Sequence, residues 1–563
     1  MTEGTTSTPK KDPVSRVYSA WMGFAQREIR PGRGMRIRIL WGRVAIFLVI
    51  MGLLGWFLKS WGLYLFFRNV REFEDVSFSD MVLFPLNRTN LRIQQGSYQI
   101  DQAKQAVERE DYRRAFMLLR EGVARSPQNE EGRMLLAQFY AGWRPDLAID
   151  LLIDGIERGL RNSDYLRLTS NLLLSQKEDE KILELTDQLL QEDLPEDVRK
   201  ILAVSRLQAA IFNGRFDTAR EVFESEGMDK TLDGLILGTD IYRRIGHPME
   251  AIEVLQSALA SLPADRATLV YNRLVEVYKS QEMYNQAREI ALKQMIDLPL
   301  QFQPRVLLID ALSNSGMDAR RDKEIESMLQ EFRNEEQAMV TLAGLASNYG
   351  NVQAASRLYE IALENGFSLG VFSMALAESL VQDGQYEAAI ELCNELIRED
   401  PAWMLQAEGS FNALRSLAYF GFDEEELGNL YLKNFLESKQ SNVNQMVSTA
   451  NFFIGLDREE QALRVLQEAY ERDPRNETVL ANLVEVEMAM GVFFSLDQHL
   501  KDLFTLRRPD YRMIGGIRDQ LRSDRFLFTR DRVELLDGLS DILSEMETIS
   551  DWEIWKKVQK TES

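Results

Sequence analysis

Residues that carry metal, redox or nucleophilic chemistry are scarce in this 563-residue sequence, which contains one cysteine, Cys393, and two histidines, His247 and His499. A single thiol excludes an intramolecular disulfide framework, and a zinc centre normally needs three or four converging ligands. The sequence also lacks the glycine-rich phosphate-binding loops of nucleotide enzymes. We therefore predict no catalytic residue, no metal site and no cofactor, and expect that the protein is not an enzyme.

Charge is divided unevenly along the chain, whose formal net charge is −22. Residues 1–71 hold twelve Lys/Arg and three Asp/Glu, a charge of +9, which leaves −31 for the remainder. Nucleic-acid binding depends on basic side chains that neutralise phosphates. The acidic part therefore makes DNA and RNA poor candidate partners, and basic proteins or cations better ones.

A long apolar run lies near the N-terminus. No charged residue occurs from Val44 to Leu58, and after Lys59 the apolar pattern continues to Phe67. About 20 apolar residues span a bilayer core, so we predict a transmembrane helix over 39–67, with aromatic residues near the interfaces. A buried core helix and a cleaved signal peptide are the alternatives. A signal peptide fits poorly, because Arg68 to Arg71 follow the run in place of a small-residue cleavage site.

Basic residues before the run indicate its orientation. Nine precede it, while Arg68 and Arg71 follow it, and such an excess marks the cytoplasmic side. We expect residues 1–38 to form a basic cytoplasmic segment and everything after residue 71 to lie across the membrane, in the periplasm if the organism is a bacterium with two membranes. Within that segment, Val14 to Ile29 is interpreted either as an interfacial helix or as a partly disordered basic arm that is broken at Pro31-Gly32.

After a linker at 68–95, the sequence shows helical periodicity with an internal repeat near 34 residues. The best matches begin at Gly96, Leu232, Thr268, Gly370 and Val443. Each has alanine at the twentieth place and proline at the thirty-second: Ala115, Ala251, Ala287, Ala389 and Ala462, then Pro127, Pro263, Pro299, Pro401 and Pro474. The small residues let two antiparallel helices approach closely, and the prolines end the second helix.

This pattern resembles the tetratricopeptide repeat (TPR) family. Bulky residues such as Tyr242, Tyr278 and Phe453 at the eleventh place would pack between neighbouring units, and Cys393 falls at a packing place. The resemblance implies an all-α fold: an α-solenoid of about twelve TPR-like helix pairs over 96–510, with the N-terminal transmembrane helix. Residues 511–563 would supply capping helices and a tail, in which Trp552 and Trp555 either belong to the cap or form a docking motif.

The resemblance also implies a partner-binding groove lined by the first helix of each pair. By position, the candidate groove residues are Lys104, Asp240, Arg243, Asn272, Glu276, Lys279, Glu378, Gln382, Asn444 and Asn451. TPR domains that bind chaperone tails use Lys and Asn at the fifth and ninth places of the first unit, which here are Ile100 and Lys104. That carboxylate clamp is absent from the sequence.

These observations lead to the hypothesis of a membrane-anchored scaffold or adaptor that binds other proteins through the TPR groove. The assembly would belong to a membrane or cell envelope, in secretion, pilus or surface-polymer machinery. The alternatives are an accessory subunit of a membrane enzyme and a polysaccharide-binding solenoid.

Overall fold

The computed structural model describes residues 16–30, 34–70, 77–228, 231–263, 266–399 and 407–549. The chain divides into two compact units, Met1–Leu172 and Leu173–Ser563. Unit 1 begins with three strands, and the described residues after them are almost entirely helical. The strands are β1 Arg16–Ala20, β2 Ala25–Arg30 and β3 Gly34–Ile39.

The strands form an antiparallel sheet in the order β1-β2-β3, which corrects both interpretations of the basic segment. The register pairs Tyr18 with Arg27, and Arg27 with Ile37. Because strand side chains alternate between faces, the Arg-Ile alternation in β3 suits a strand. The helical interpretation relied on the spacing of a few apolar residues, which a sheet also accommodates. Pro31 and Gly32 lie outside the described residues.

The turn between β1 and β2 contains two non-glycine residues in the left-handed region, Trp21 at φ 54° and Met22 at φ 53°, followed by Gly23 at φ 91°. Left-handed backbone costs an L-residue roughly 1–2 kcal/mol. The turn contacts the next helix, because Arg43 Nη1 donates to the Gly23 carbonyl at 3.1 Å. The rings of Phe24 and Phe47 also meet edge to face at 4.8 Å.

Helix α1, Trp41–Leu65, continues through a wider turn at Phe66–Val70. The helical stretch Trp41–Asn69 is strongly apolar, and few of its apolar side chains are buried within the described structure. Among the described residues it is the one helix long and apolar enough to cross a membrane. After it, α2 (Phe78–Val82) packs Phe78 against Phe57, at a ring distance of 5.1 Å, and against Trp61, at 5.8 Å.

Helices follow one another in antiparallel pairs from residue 84 onward. In unit 1 they are α3 Phe84–Glu108, α4 Tyr112–Arg125, α5 Glu130–Ala141 and α6 Pro145–Glu157, with α7 Ser163–Ser175 spanning the division between the units. Helix α3 begins twelve residues before Gly96, inside the segment expected to be a linker. Pro85 lies in its first turn, where the missing N–H of proline breaks no helical hydrogen bond.

Unit 2 continues the pairing. Its helices are α8 Asp179–Leu189, α9 Glu196–Phe212, α10 Phe216–Ser225, α11 Leu232–Arg244, α12 Pro248–Ser261, α13 Thr268–Ser280, α14 Tyr284–Asp297, α15 Gln303–Asn314, α16 Asp318–Glu331, α17 Glu336–Asn348, α18 Val352–Asn365, α19 Leu369–Gln382, α20 Tyr386–Glu399, α21 Glu408–Gly421, α22 Glu425–Glu437, α23 Val443–Gly455, α24 Glu459–Arg472, α25 Glu477–Met490, α26 Leu496–Leu506, α27 Tyr511–Leu521 and α28 Arg532–Ile549. The predicted all-α solenoid of helix pairs is confirmed, with the N-terminal sheet as an addition.

The repeat positions explain the packing. The alanines at the twentieth place are at most 1% exposed in all five repeats. Tyr242, Tyr278 and Phe453, at the eleventh place, are at most 6% exposed. Four of the five prolines lie two residues beyond the end of a second helix; Pro401 lies outside the described residues. Helices α27 and α28 occupy the place of the expected closing helices, and Trp552 and Trp555 lie outside the described residues.

A late segment of unit 2, at Arg507 and Arg508, contacts the unit's first two complete helices, α8 and α9. Arg507, which follows α26, donates from Nε to the 1%-exposed carboxylate of Asp179 in α8 at 2.9 Å. Its guanidinium also lies 3.9 Å from the centre of the Phe212 ring. The neighbouring Arg508 donates its backbone N–H to the Phe212 carbonyl at 2.8 Å. The segment that follows α26 is therefore held against α8 and the end of α9.

Candidate binding groove

The first helices of four consecutive pairs, α17, α19, α21 and α23, line an open cavity of about 770 Å³ in unit 2. Small residues keep it open where these helices adjoin: Gly344, Gly370, Ala375, Ala407 and Ala413. Larger apolar side chains line it as well: Val340, Val371, Met374, Leu414, Leu417 and Phe452. An apolar cleft with a few polar groups is the usual character of a binding site.

Amide groups are fixed along one wall of the cavity. Asn442 and Gln445 form a capping box at the start of α23, in which the Asn442 side chain accepts from the Gln445 N–H at 2.9 Å and the Gln445 side chain accepts from the Asn442 N–H at 3.1 Å. Gln445 Nε2 also donates to Ser410 Oγ in α21 at 2.9 Å. Held at both ends, this amide cannot rotate freely and presents a defined polar surface.

Glu378 in α19 is the single charged side chain among the described residues that line the cavity. Its carboxylate accepts from Ser347 Oγ of α17 at 2.6 Å. Burial raises the pKa of Glu378 above its ordinary value, and the hydrogen bond from Ser347 opposes that rise. The cavity therefore offers one poorly solvated carboxylate to an incoming cation or hydrogen-bond donor.

Polar contacts between adjacent first helices continue the same face toward α11. Asp240 of α11 pairs with Arg273 of α13 at 2.8 Å, and Lys279 of α13 pairs with Asp310 of α15. Tyr349, which follows α17, also hydrogen-bonds to Asp310. Much of the polar face between α11 and α17 is thus occupied by contacts within the chain.

The structure separates the predicted groove residues into two groups. Glu378 and Asn444 line the cavity. The others lie elsewhere on first helices: Lys104 pairs with Glu131 in unit 1, Arg243 lies 3.7 Å from Asp240, Asn272 accepts from Gln294, Glu276 pairs with Arg273, Lys279 pairs with Asp310, Gln382 lies beside Gly350, and Asn451 is exposed on α23. The binding role of all ten stays a prediction.

Sequence reasoning missed Ser347, Asp310 and Gln445, each of which holds a groove residue or the groove wall. The sequence nevertheless carries a pattern that could have identified each of them. Ser347 lies 31 residues before Glu378, and Asp310 lies 31 after Lys279, close to one repeat length. An Asn followed three residues later by Gln, ahead of the apolar α23, is a capping-box pattern.

Cys393 has a packing role, as its repeat position predicts. It is 1% exposed, and burial raises the pKa of its thiol to about 11. The thiolate is the reactive form of cysteine, so this side chain is held in its inert state. In the part of the chain that the structure describes, no group of three or more His, Cys, Asp or Glu side chains is arranged to hold a metal ion.

Replacing Glu378 by glutamine is expected to raise the melting temperature at neutral pH. Because the folded-state pKa of Glu378 is raised, its contribution to stability is present at low pH and lost as pH rises through that pKa. Glutamine keeps the acceptor for Ser347 without the charge. The difference in melting temperature between variant and native protein should therefore shrink toward acid, as measured by thermal scans across pH. The same change at the exposed Glu391 should show no such convergence.

Comparison with known proteins supports the repeat class. Residues 342–402, which begin within α17 and include all of α18, α19 and α20, match the family model described as tetratricopeptide repeat. No curated protein matches the sequence. The array is an all-α, TPR-like solenoid, a fold typical of protein-interaction scaffolds.

Solved structures similar to this chain include the following three. Yeast Tom70 is 11% identical, over 82% of this chain and 99% of that one, with a TM-score of 0.29. A tetratricopeptide repeat protein from Parabacteroides merdae is 16% identical, over 45% and 97%, with a TM-score of 0.29. The pentatricopeptide repeat protein PPR10, solved with an 18-nucleotide psaJ RNA element, is 16% identical, over 80% and 68%, with a TM-score of 0.40.

Proposed function

We propose that this protein is a membrane-anchored scaffold that holds a segment of another protein in the α17–α23 groove. Helix α1 is the anchor, with the N-terminus in the cytoplasm and the repeats across the membrane, in the periplasm if the organism is a two-membrane bacterium. The assembly it serves belongs to the membrane or cell envelope, such as secretion, pilus or surface-polymer machinery. The observation that carries the binding role is the open cavity across four successive first helices.

The lining favours an extended peptide that carries a basic side chain beside an apolar one. Val371, Met374 and Phe452 would bury the apolar side chain, and Glu378 would accept from the basic one. Such a pairing favours the ionised carboxylate and offsets its burial cost. The acidic charge of the chain beyond residue 71 is complementary to a basic segment and repels nucleic acid.

Of the alternatives, polysaccharide binding would require pairs of aromatic rings that face one groove. Tyr278 and Phe453 are 4% and 0% exposed and pack inside the array. Among the described residues that line the cavity, Phe435 is fully buried, which leaves Phe452 without a second ring for stacking on a sugar. An accessory role beside a membrane enzyme uses the same groove and is one form of the scaffold proposal.

A photo-crosslinking amino acid placed in the groove tests the proposal. At Val371, which lines the cavity and is 47% exposed, we expect one discrete cross-linked protein in native membranes. At Glu391, an exposed residue of the second helix α20, we expect no such species. The added substitution Glu378→Lys should reduce the yield at position 371 severalfold, because it places a positive charge against the basic segment.

Cross-linking of equal yield from both positions would contradict the groove as the binding site. A second result would also contradict the proposal: no cross-link at position 371, together with purified protein that converts a small substrate without any partner.

A further inference from the structure

The turn between β1 and β2 displays two large apolar side chains in a backbone conformation that neither favours. Trp21 is 70% exposed and Met22 is 99% exposed, and both have left-handed φ angles. Such positions normally hold Gly, Asn or Asp. Strained residues that persist tend to mark functional sites, and packing within the described residues does not account for this pair.

The turn is fixed against the side of the apolar helix. Leu40 donates its N–H to the Phe24 carbonyl at 2.8 Å, and Arg43 donates to the Gly23 carbonyl at 3.1 Å. The Phe24 ring meets Phe47 at 4.8 Å. Arg43 and Phe47 lie two and six residues after Trp41, the first residue of α1, which is within roughly 9 Å of the helix start. The turn therefore lies level with the first two turns of α1.

Exposed basic side chains surround the same region. Arg27 and Arg38 lie on opposite faces of the sheet and Arg43 lies at the start of α1, all of them exposed. Tyr18 and Ile37, which flank Arg27 in the register, are 50% and 52% exposed. Aromatic residues concentrate at membrane interfaces, and basic residues are attracted to anionic lipid headgroups. The combination fits a lipid surface.

We propose that the β1–β3 sheet is a membrane-surface module: Trp21 and Met22 enter the interface around the N-terminal end of α1, while Arg27 and Arg38 bind anionic headgroups. The proposal rests on the insertion of α1 as an anchor. Continuity with that helix, together with the positive charge, identifies lipid as the occupant of this surface. The sheet would then fix the depth at which the N-terminal end of α1 lies in its leaflet.

Depth-dependent fluorescence quenching tests the proposal on the full-length chain in vesicles of phosphatidylcholine, with and without phosphatidylglycerol. A single environment-sensitive label is attached through Met22→Cys, and the native chain checks that buried Cys393 takes none. We expect severalfold stronger quenching by lipids with a nitroxide near the headgroup than by aqueous iodide. Met249→Cys, at a 52%-exposed methionine of α12, is the matched control and should show the reverse.

A third label, through Leu54→Cys in the middle of α1, reports on the anchor separately. If lipids with a deep nitroxide quench the Leu54 label while iodide quenches the Met22 label, the anchor stands and the sheet proposal fails. If lipid quenches neither label, the anchor itself fails. A Met22 label shielded from both quenchers would indicate a protein contact and overturn the lipid assignment.

Charge reversal tests whether Arg27 and Arg38 bind anionic headgroups. Arg27→Glu combined with Arg38→Glu should reduce severalfold the increase in Met22-label quenching that phosphatidylglycerol produces. An unchanged response to phosphatidylglycerol would overturn the role of these two arginines.

Discussion

Replacing Arg507 by alanine is expected to lower the local stability of unit 2 by about 3–5 kcal/mol, because it leaves a buried carboxylate without its partner. Asp179 is 1% exposed and receives hydrogen bonds from Arg507 Nε and Nη2 at 2.9 and 3.1 Å. Arg507 also donates to the Leu174 carbonyl at 2.8 Å and covers the Phe212 ring. Native-state hydrogen exchange should show faster exchange in α8, α9 and α26.

The pH dependence of that variant follows from Asp179. Burial raises the pKa of Asp179, and the contact with Arg507 lowers it in part. Without Arg507 the rise is larger, so protonation at low pH relieves the buried charge and the loss of stability grows as pH increases. The double variant Arg507→Met with Asp179→Ala should recover much of the loss, because no unpaired charge remains.

Arg215→Ala is the matched control. Arg215 pairs with Glu180, the residue next to Asp179, but both side chains are more than half exposed. An exposed ion pair contributes at most about 1 kcal/mol. If Arg215→Ala and Arg507→Ala accelerate exchange equally, the contact of Arg507 with Asp179 is not a stabilising one.

Phe453→Ala is expected to cost about 3–5 kcal/mol. Phe453 is fully buried and meets Phe420 of the preceding first helix, with ring centroids 5.6 Å apart. Since each repeat contacts mainly its neighbours, faster hydrogen exchange should be concentrated in α21–α24. The groove formed by α21 and α23 would loosen with them, and the cross-linking yield at Val371 should fall.

The same substitution at Phe494, which is 86% exposed, should change stability by no more than about 0.5 kcal/mol. Melting temperature and exchange measured on both variants make the comparison. If Phe453→Ala and Phe494→Ala destabilise the protein equally, the eleventh place of the repeat does not belong to the core between neighbouring repeats.

The repeat array was predictable because its signal is local and periodic. Ala462 and Pro474 hold the same relation to each other in the last good repeat as Ala115 and Pro127 do in the first. The apolar helix was predictable from its length, with expected limits of 39–67 against the observed Trp41–Asn69. The basic sheet was not, because strands of five or six residues carry too few alternations to exclude a helical interpretation.

The sequence predicted which helix faces could line a groove, but not where along the array the cavity lies. Repeat position identified Glu378 and Lys279 alike, yet Lys279 is paired with Asp310 while Glu378 faces the cavity. That difference depends on which neighbours supply a counter-charge, and the repeat consensus does not specify those residues. The pairing of Asp179 with Arg507 joins residues 328 positions apart, and no periodicity reports such a contact.

That pairing has a consequence for biosynthesis. Ribosomes add roughly 5–20 residues per second, so roughly 16–66 s separate the appearance of Asp179 from that of Arg507. During that interval the Asp179 carboxylate, and the Phe212 ring once it has been made, lack the Arg507 guanidinium that covers them in the folded chain. Chains that terminate before residue 507 keep this surface exposed, which would mark them for chaperones and proteases.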